Sequence, residues 1–110
     1  MHPTTSIAAL CATLACLTLA AHADPPIDAA KIAAGARAYD KFCSTCHGEE
    51  LVNNTGVSFD LRRLHANEHP RFVHSVLNGK NAMPSWQGKL TDEQIDSLWT
   101  YIRTNAYDAQ

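Results

Sequence analysis

Two thiols and an imidazole fall within five residues of this sequence, Cys43, Cys46 and His47, in the run FCSTCHG from Phe42 to Gly48. Three chemistries use such a group: a redox dithiol, part of a zinc site, or covalent attachment of haem. The last accounts for the spacing most fully. Two thiols on one helical turn can add to the two vinyl groups of one porphyrin, giving two thioethers. His47 then lies under the ring, where its imidazole supplies the proximal ligand to iron.

A second iron ligand is offered by Met83, in the run NGKNAMPSW from Asn78 to Trp86. Thioether sulfur is soft and favours ferrous over ferric iron, so a His/Met pair raises the reduction potential. An isolated methionine is otherwise a gap-filler in a core. Met83, however, follows a helix stop and is fixed by Pro84. His65, His69 and His74 compete for the same role. His65, near Leu61 and Leu64, is the strongest rival, and bis-histidine ligation would lower the potential.

Zinc is the other metal to weigh, since Cys43-x-x-Cys46 and His65-x-x-x-His69 form a Cys2His2 set. Eighteen residues separate Cys46 from His65, more than the ~12–15 of the finger pattern. Zinc would also leave His47 and Met83 without a role. A thioredoxin-like dithiol needs a βαβ context that the sequence does not offer.

The elements that must position these residues read as helices. The first runs roughly from Asp28, a plausible N-cap, to Phe42, with Ile32, Gly35, Ala36 and Tyr39 on one face. Gly35 in that stripe costs about 1 kcal/mol of helix propensity against alanine, which points to close approach of another helix. The second lies near Pro70 to Asn78, with Phe72, Val73, Val76 and Leu77 on one face, His74 on the other and Gly79 past the end. The third opens on a capping box, Thr91 to Gln94, and carries Ile95, Leu98, Trp99 and Ile102 at helical spacing. No stretch alternates as a strand, so the fold class is all-α. The segment from Glu49 to Asn67 reads as irregular. So small a chain buries only a modest core, and a large apolar cofactor would complete it.

The N-terminal segment reads as an export signal rather than part of the fold. Ile7 to Ala20 is an apolar run too short to span a bilayer comfortably. The A-x-A pattern Ala21-His22-Ala23 follows, so residues 1–23 are the expected leader and the mature chain begins at Asp24. Met1 to Ser6 holds no lysine or arginine, so the positive region rests on the terminal amine. The residues before Cys16 do not match a lipobox. Cys11 and Cys16 leave with the leader, so the mature domain, 24–110, keeps only Cys43 and Cys46. That pair encloses too little chain to stabilise it much as a disulfide. No transmembrane anchor is expected after cleavage. The net charge of −2 gives no footprint for nucleic acid or an anionic membrane.

Together these features make the chain resemble a class I cytochrome c over essentially all of Asp24 to Gln110. They are CSTCHG after a helix with Gly35 and Tyr39, the NGKNAMPSW loop, and the closing run LTDEQIDSLWTYIRT. The resemblance implies three to four helices around one covalent haem c, with the first and last packed together. Gly35 and Tyr39 would then meet Leu98, Trp99 and Ile102. It assigns Cys43 and Cys46 to the thioethers, and His47 and Met83 to the axial positions. A narrower likeness, carried by FDLRRL and by the run from His69 to Arg103, is to small periplasmic cytochromes associated with pyrroloquinoline-quinone (PQQ)-dependent alcohol dehydrogenases. It implies a quinoprotein dehydrogenase as electron donor and a terminal oxidase, or another cytochrome, as acceptor.

A six-coordinate iron has no vacant position for substrate, so the expected work is outer-sphere electron transfer in the periplasm rather than catalysis. Phe42, Phe59, Leu61, Leu64, Phe72, Leu77 and Trp86 are the candidate pocket walls. Arg62, Arg63 and Trp86 are candidates for contacts to the haem propionates, with a solvated arginine pair as the alternative. Lys80 and Lys89 flank the Met83 loop as a positive rim for an acidic partner. Two other arrangements stay open: a haem-based sensor or peroxidase-like domain with a labile methionine ligand, and a fixed subunit of a larger dehydrogenase.

Overall fold

The computed structural model describes residues 28–109. The expected leader, its cleavage site and the first residues of the mature domain lie outside these. Four α-helices, α1 (Ala29–Phe42), α2 (Ser44–His47), α3 (His69–Asn78) and α4 (Asp92–Thr104), are joined by loops and short 3-10 turns. Among the described residues there is no strand, only one isolated bridge between Lys80 and Met83.

The helix ends follow from local chemistry. Asp28 Oδ1 accepts from the amides of Ala30 (3.1 Å) and Lys31 (3.2 Å), satisfying two donors that lack intrahelical partners. Thr91 and Gln94 form the reciprocal pair expected of a capping box: Gln94 N–H donates to Thr91 Oγ1 at 3.1 Å and Thr91 N–H to Gln94 Oε1 at 2.9 Å. Pro70 sits in the first turn of α3. The helix begins one residue earlier than its proline suggests, at His69.

The framework is the pairing of α1 with α4, the most extensive contact between elements. Tyr39, Leu98 and Ile102 are almost wholly enclosed between them, with Ala38 and Ile95 beside them. Gly35 permits the approach: a Cβ there would lie 2.7 Å from Tyr101 Cβ and would strike the Ser97 carbonyl. The expected partners of Gly35 therefore need correction. Its nearest neighbours are the Ser97 carbonyl and Tyr101 Cβ, neither of them among the expected residues, because the closest approach is to the α4 backbone and the base of a side chain. Tyr39 shares the core with Leu98 and Ile102, but its ring stacks at a tilt on Tyr101, 5.6 Å between centroids. Trp99 turns toward α3, packing on Phe72 (5.3 Å) and His69 (5.0 Å). That contact seats α3 against α4.

The segment from Glu49 to Asn67 is more ordered than its composition implies. It contains 3-10 turns at Glu49–Leu51, Leu61–Arg63 and Ala66–Glu68. Between the first two, Asn53 Oδ1 accepts from the amides of Thr55 and Gly56 at 3.2 Å each, and its amide nitrogen donates to the Ser58 carbonyl. Leu51 and Leu64 anchor this stretch in the core.

Candidate functional site

Cys43 ends α1 and opens α2. Its φ of −120° and ψ of −34° break the helix there, so Ser44 to His47 form one separate turn. Cys43 is half-buried and Cys46 exposed, and both thiols are free. Burial, reinforced by the neighbouring Cys46, pushes the Cys43 thiol up to about 12, which keeps it protonated in the unmodified chain.

Three contacts hold this turn. The buried Tyr39 hydroxyl donates to the Gly48 carbonyl at 2.5 Å. Ser58 Oγ donates to the Cys46 carbonyl at 2.6 Å. His47 Nδ1 lies 3.1 Å from the Phe59 carbonyl oxygen. A carbonyl only accepts, so Nδ1 is the donor here, and in the neutral imidazole Nε2 is the nitrogen with the lone pair. The arrangement suits a metal ligand, because a hydrogen bond at the second nitrogen fixes tautomer and ring orientation.

Met83 sits in a two-residue turn closed by paired backbone bonds, Lys80 N–H to the Met83 carbonyl (3.1 Å) and Met83 N–H to the Lys80 carbonyl (3.0 Å). Asn81 takes a left-handed φ of 53° within it. The turn tucks over Gly79, whose φ is 75° and where a Cβ would come within 2.6 Å of the Met83 carbonyl. Only glycine suits both demands. Beyond it, Trp86 N–H donates to the Val76 carbonyl at 2.8 Å and Ser85 Oγ to the Leu77 carbonyl at 2.5 Å, tying the loop to α3.

Both segments rest on the shared core. Phe42, Cys43, Leu61, Leu77, Met83 and Trp86 are all partly buried against the same core. Phe42 meets Trp86 edge-on at 5.5 Å. Phe59 is more open, at 41 % exposure. Of the expected pocket walls, Leu64 and Phe72 are buried outright, as ordinary core.

The other candidates are engaged elsewhere. His65 Nδ1 contacts Asp108 Oδ2 at 3.0 Å and is largely exposed. His69 stacks on Trp99, and His74 is exposed beside Asn78. Among the described residues no three His, Cys, Asp or Glu side chains converge as a metal-binding group. Arg62 is committed to Asp60, donating through Nε and Nη2 at 3.2 Å each, with its guanidinium 4.8 Å from the Tyr107 ring centre. Arg63 is exposed and outside the ion pairs seen among the described residues.

Comparison with known proteins settles the family. The model of the family described as cytochrome c oxidase, cbb3-type, subunit III matches residues 30–102. A cytochrome c6 of Parathermosynechococcus lividus is 36% identical over 81 residues, covering 70% of this chain and 93% of that one. The chain belongs to the class I c-type cytochromes. The cytochrome is also 40% identical over 83 residues to the quinohemoprotein alcohol dehydrogenase ADH-IIG of Pseudomonas putida, covering 74% of this chain but 11% of that much longer protein. The solved structure of that dehydrogenase aligns with a TM-score of 0.66, over 74% of this chain and 12% of the other.

Electron transfer is thus the class of work, and haem c the cofactor the family implies. The donor set fits it. Two free thiols lie on one turn, an imidazole follows with Nδ1 taken up by the Phe59 carbonyl, and a thioether stands in a braced loop among half-covered apolar side chains. The bonds from Tyr39, Ser58 and Phe59 were not read from the sequence. Each involves a backbone carbonyl, which leaves no residue signature. Among the described residues no helix is long and apolar enough to cross a membrane.

Proposed function

We propose that this cytochrome is an exported, periplasmic carrier of single electrons with one haem c, which Cys43 and Cys46 would attach and whose iron His47 and Met83 would hold. Bound there, the haem supplies a one-electron Fe(III)/Fe(II) couple. The protein contributes fixed ligands and a low-dielectric setting, both of which limit reorganisation. His47 presents Nε2 because Phe59 holds Nδ1–H, and that hydrogen bond is the observation that carries the reading. Met83 follows as the soft second ligand, since His65, His69 and His74 are occupied or solvated. Trp86 stands beside Phe42 as the better candidate for covering a propionate; Arg62 is held by Asp60, leaving Arg63 the freer arginine of the two.

The donor we infer is a periplasmic PQQ-dependent dehydrogenase, and the acceptor a terminal oxidase or another cytochrome. Support comes from the likeness to part of a quinohemoprotein alcohol dehydrogenase and, at 32% identity, to a cbb3-type cytochrome c oxidase subunit CcoP of Azospirillum. Because 11% of the dehydrogenase is matched, a fixed subunit and a free carrier are both consistent with the likeness.

Co-expression with haem-maturation machinery tests the core of this reading. Haem that survives denaturation, a low-spin spectrum with a methionine–iron charge-transfer band, and loss of that band in Met83→Ala are expected. A preparation without covalent haem refutes the proposal. A band that persists in the variant refutes the Met83 assignment. Mixing the oxidised cytochrome with a substrate-reduced PQQ dehydrogenase should reduce it rapidly, and a failure to do so removes that donor.

A further inference from the structure

The carbonyl that orients His47 belongs to Phe59, and the residue after it, Asp60, is gripped by one near and one distant residue later in the chain. Asp60 Oδ1 accepts from the Arg62 amide at 3.0 Å, capping the Leu61–Arg63 turn, and from Arg62 Nε at 3.2 Å. Its other oxygen accepts from Arg62 Nη2 at 3.2 Å and, forty-seven positions on, from the Tyr107 hydroxyl at 3.0 Å. The Tyr107 ring lies against the Arg62 guanidinium, closing a three-member group. The C-terminal turn that carries Tyr107 is itself held, because Asp108 accepts from Arg103 Nη1 at 2.6 Å and contacts His65 at 3.0 Å. On the other side, the Arg71 guanidinium lies 5.0 Å from the centre of the Phe59 ring and is steadied by Glu68.

We propose that Tyr107 is a positioning residue for the His47 imidazole, acting through Asp60 and the Phe59 carbonyl, so that the C-terminal turn sets the reduction potential of the bound iron. The proposal rests on the reading of His47 as an iron ligand. A firm Nδ1–H···O=C bond makes an imidazole a more basic ligand, which favours ferric iron. Hydrogen bonding to a ligand is one of the levers a protein has on potential. Freeing Asp60 from Tyr107 lets the Phe59 peptide move and weakens that bond. The potential then rises.

The test is a charge-neutral series in the holoprotein, Tyr107→Phe and Tyr107→Ala. The first removes the hydroxyl bond to Asp60, and the second also removes the ring from beneath Arg62. Because neither changes net charge, a shift in potential does not arise from a lost carboxylate. Two readouts are taken: the reduction potential, and amide hydrogen exchange at Arg62 and Leu64, which reports the Asp60-capped turn independently of iron. Faster exchange at both amides with a potential that rises in the order wild type, Phe, Ala is the expected result. Faster exchange with an unmoved potential overturns the proposal, since the latch then stops short of His47. Unchanged exchange in both variants overturns it as well, because Tyr107 would not be holding the turn. A wild-type protein without covalent haem or without a histidine-ligated spectrum marks failure of the underlying ligand reading, and the proposal falls with it.

Discussion

The hydroxyl of Tyr39, a residue with no solvent exposure, donates to the carbonyl of Gly48 immediately past His47. One bond thus ties the centre of the α1–α4 core to the end of the Ser44–His47 turn. Tyr39→Phe leaves the Gly48 carbonyl without this donor, at a cost of about 1–3 kcal/mol. Thermal unfolding of the holoprotein should fall by about 4–8 °C for each kcal/mol lost. An unchanged melting temperature contradicts a structural role for this bond.

The same residue makes an alkaline prediction. Burial first, and the nearby Cys43 next, raise the Tyr39 phenol well above its ordinary value of 10.0. The folded state therefore keeps a proton that the unfolded chain gives up. The associated stability is fully present below the ordinary phenol value and is lost as pH rises through the folded one. Denaturant titrations from neutral to strongly alkaline pH should show that loss, reduced in Tyr39→Phe.

Gly35→Ala gives opposite answers for an isolated helix and for this fold. Propensity alone favours alanine by roughly 1 kcal/mol. Against the Ser97 carbonyl and Tyr101 the added methyl overpacks the α1–α4 contact, a class of change that costs about 1–3 kcal/mol. Net destabilisation in chemical denaturation is expected. A stabilised variant would mean that the helices do not approach so closely.

Met83→Ala should open a coordination position. The ferrous variant should bind carbon monoxide rapidly, whereas wild type should bind it slowly or not at all, and the variant's potential should be lower. Rapid binding by wild type favours the sensor or peroxidase-like alternative over the carrier.

The C-terminal turn should respond to acid. The Arg103 guanidinium, then His65, hold the Asp108 carboxyl below its ordinary 3.8. Its contribution is present above that ordinary value and is lost as pH falls through the lowered folded one. Amide exchange near Tyr107–Ala109 should quicken across that window. Asp108→Asn should abolish the step, and a step that survives the substitution assigns it to another group.

What could be read in the sequence is what short-range chemistry determines. Asp28, the Thr91–Gln94 pair and Gly79 mark helix ends through their own side chain or its absence. The need for glycine at position 35 was legible, but its partners were not. An apolar stripe identifies a face, whereas the point of closest approach depends on how two helices cross. Arg62 illustrates the other limit. An adjacent arginine pair looks available to a ligand until Asp60, two residues earlier, and Tyr107, far along the chain, are seen to claim one member. His65 looked like a rival ligand because of its apolar neighbours, but Asp108 draws it outward.

The pairing of α1 with α4 bears on how quickly the molecule can assemble. The helices bracket the whole site-forming stretch, so neither finds its main partner until the chain closes a long loop. Helices of 14 and 13 residues are marginal alone, and contacts distant in sequence slow folding. Docking at Gly35 is therefore expected to lie near the rate-limiting barrier. Gly35→Ala should slow refolding in stopped-flow measurements, while Tyr107→Phe, at the periphery, should act on the unfolding rate. The glycine that permits two helices to touch is then also a kinetic determinant of when the turn carrying Cys46 and His47 acquires its shape.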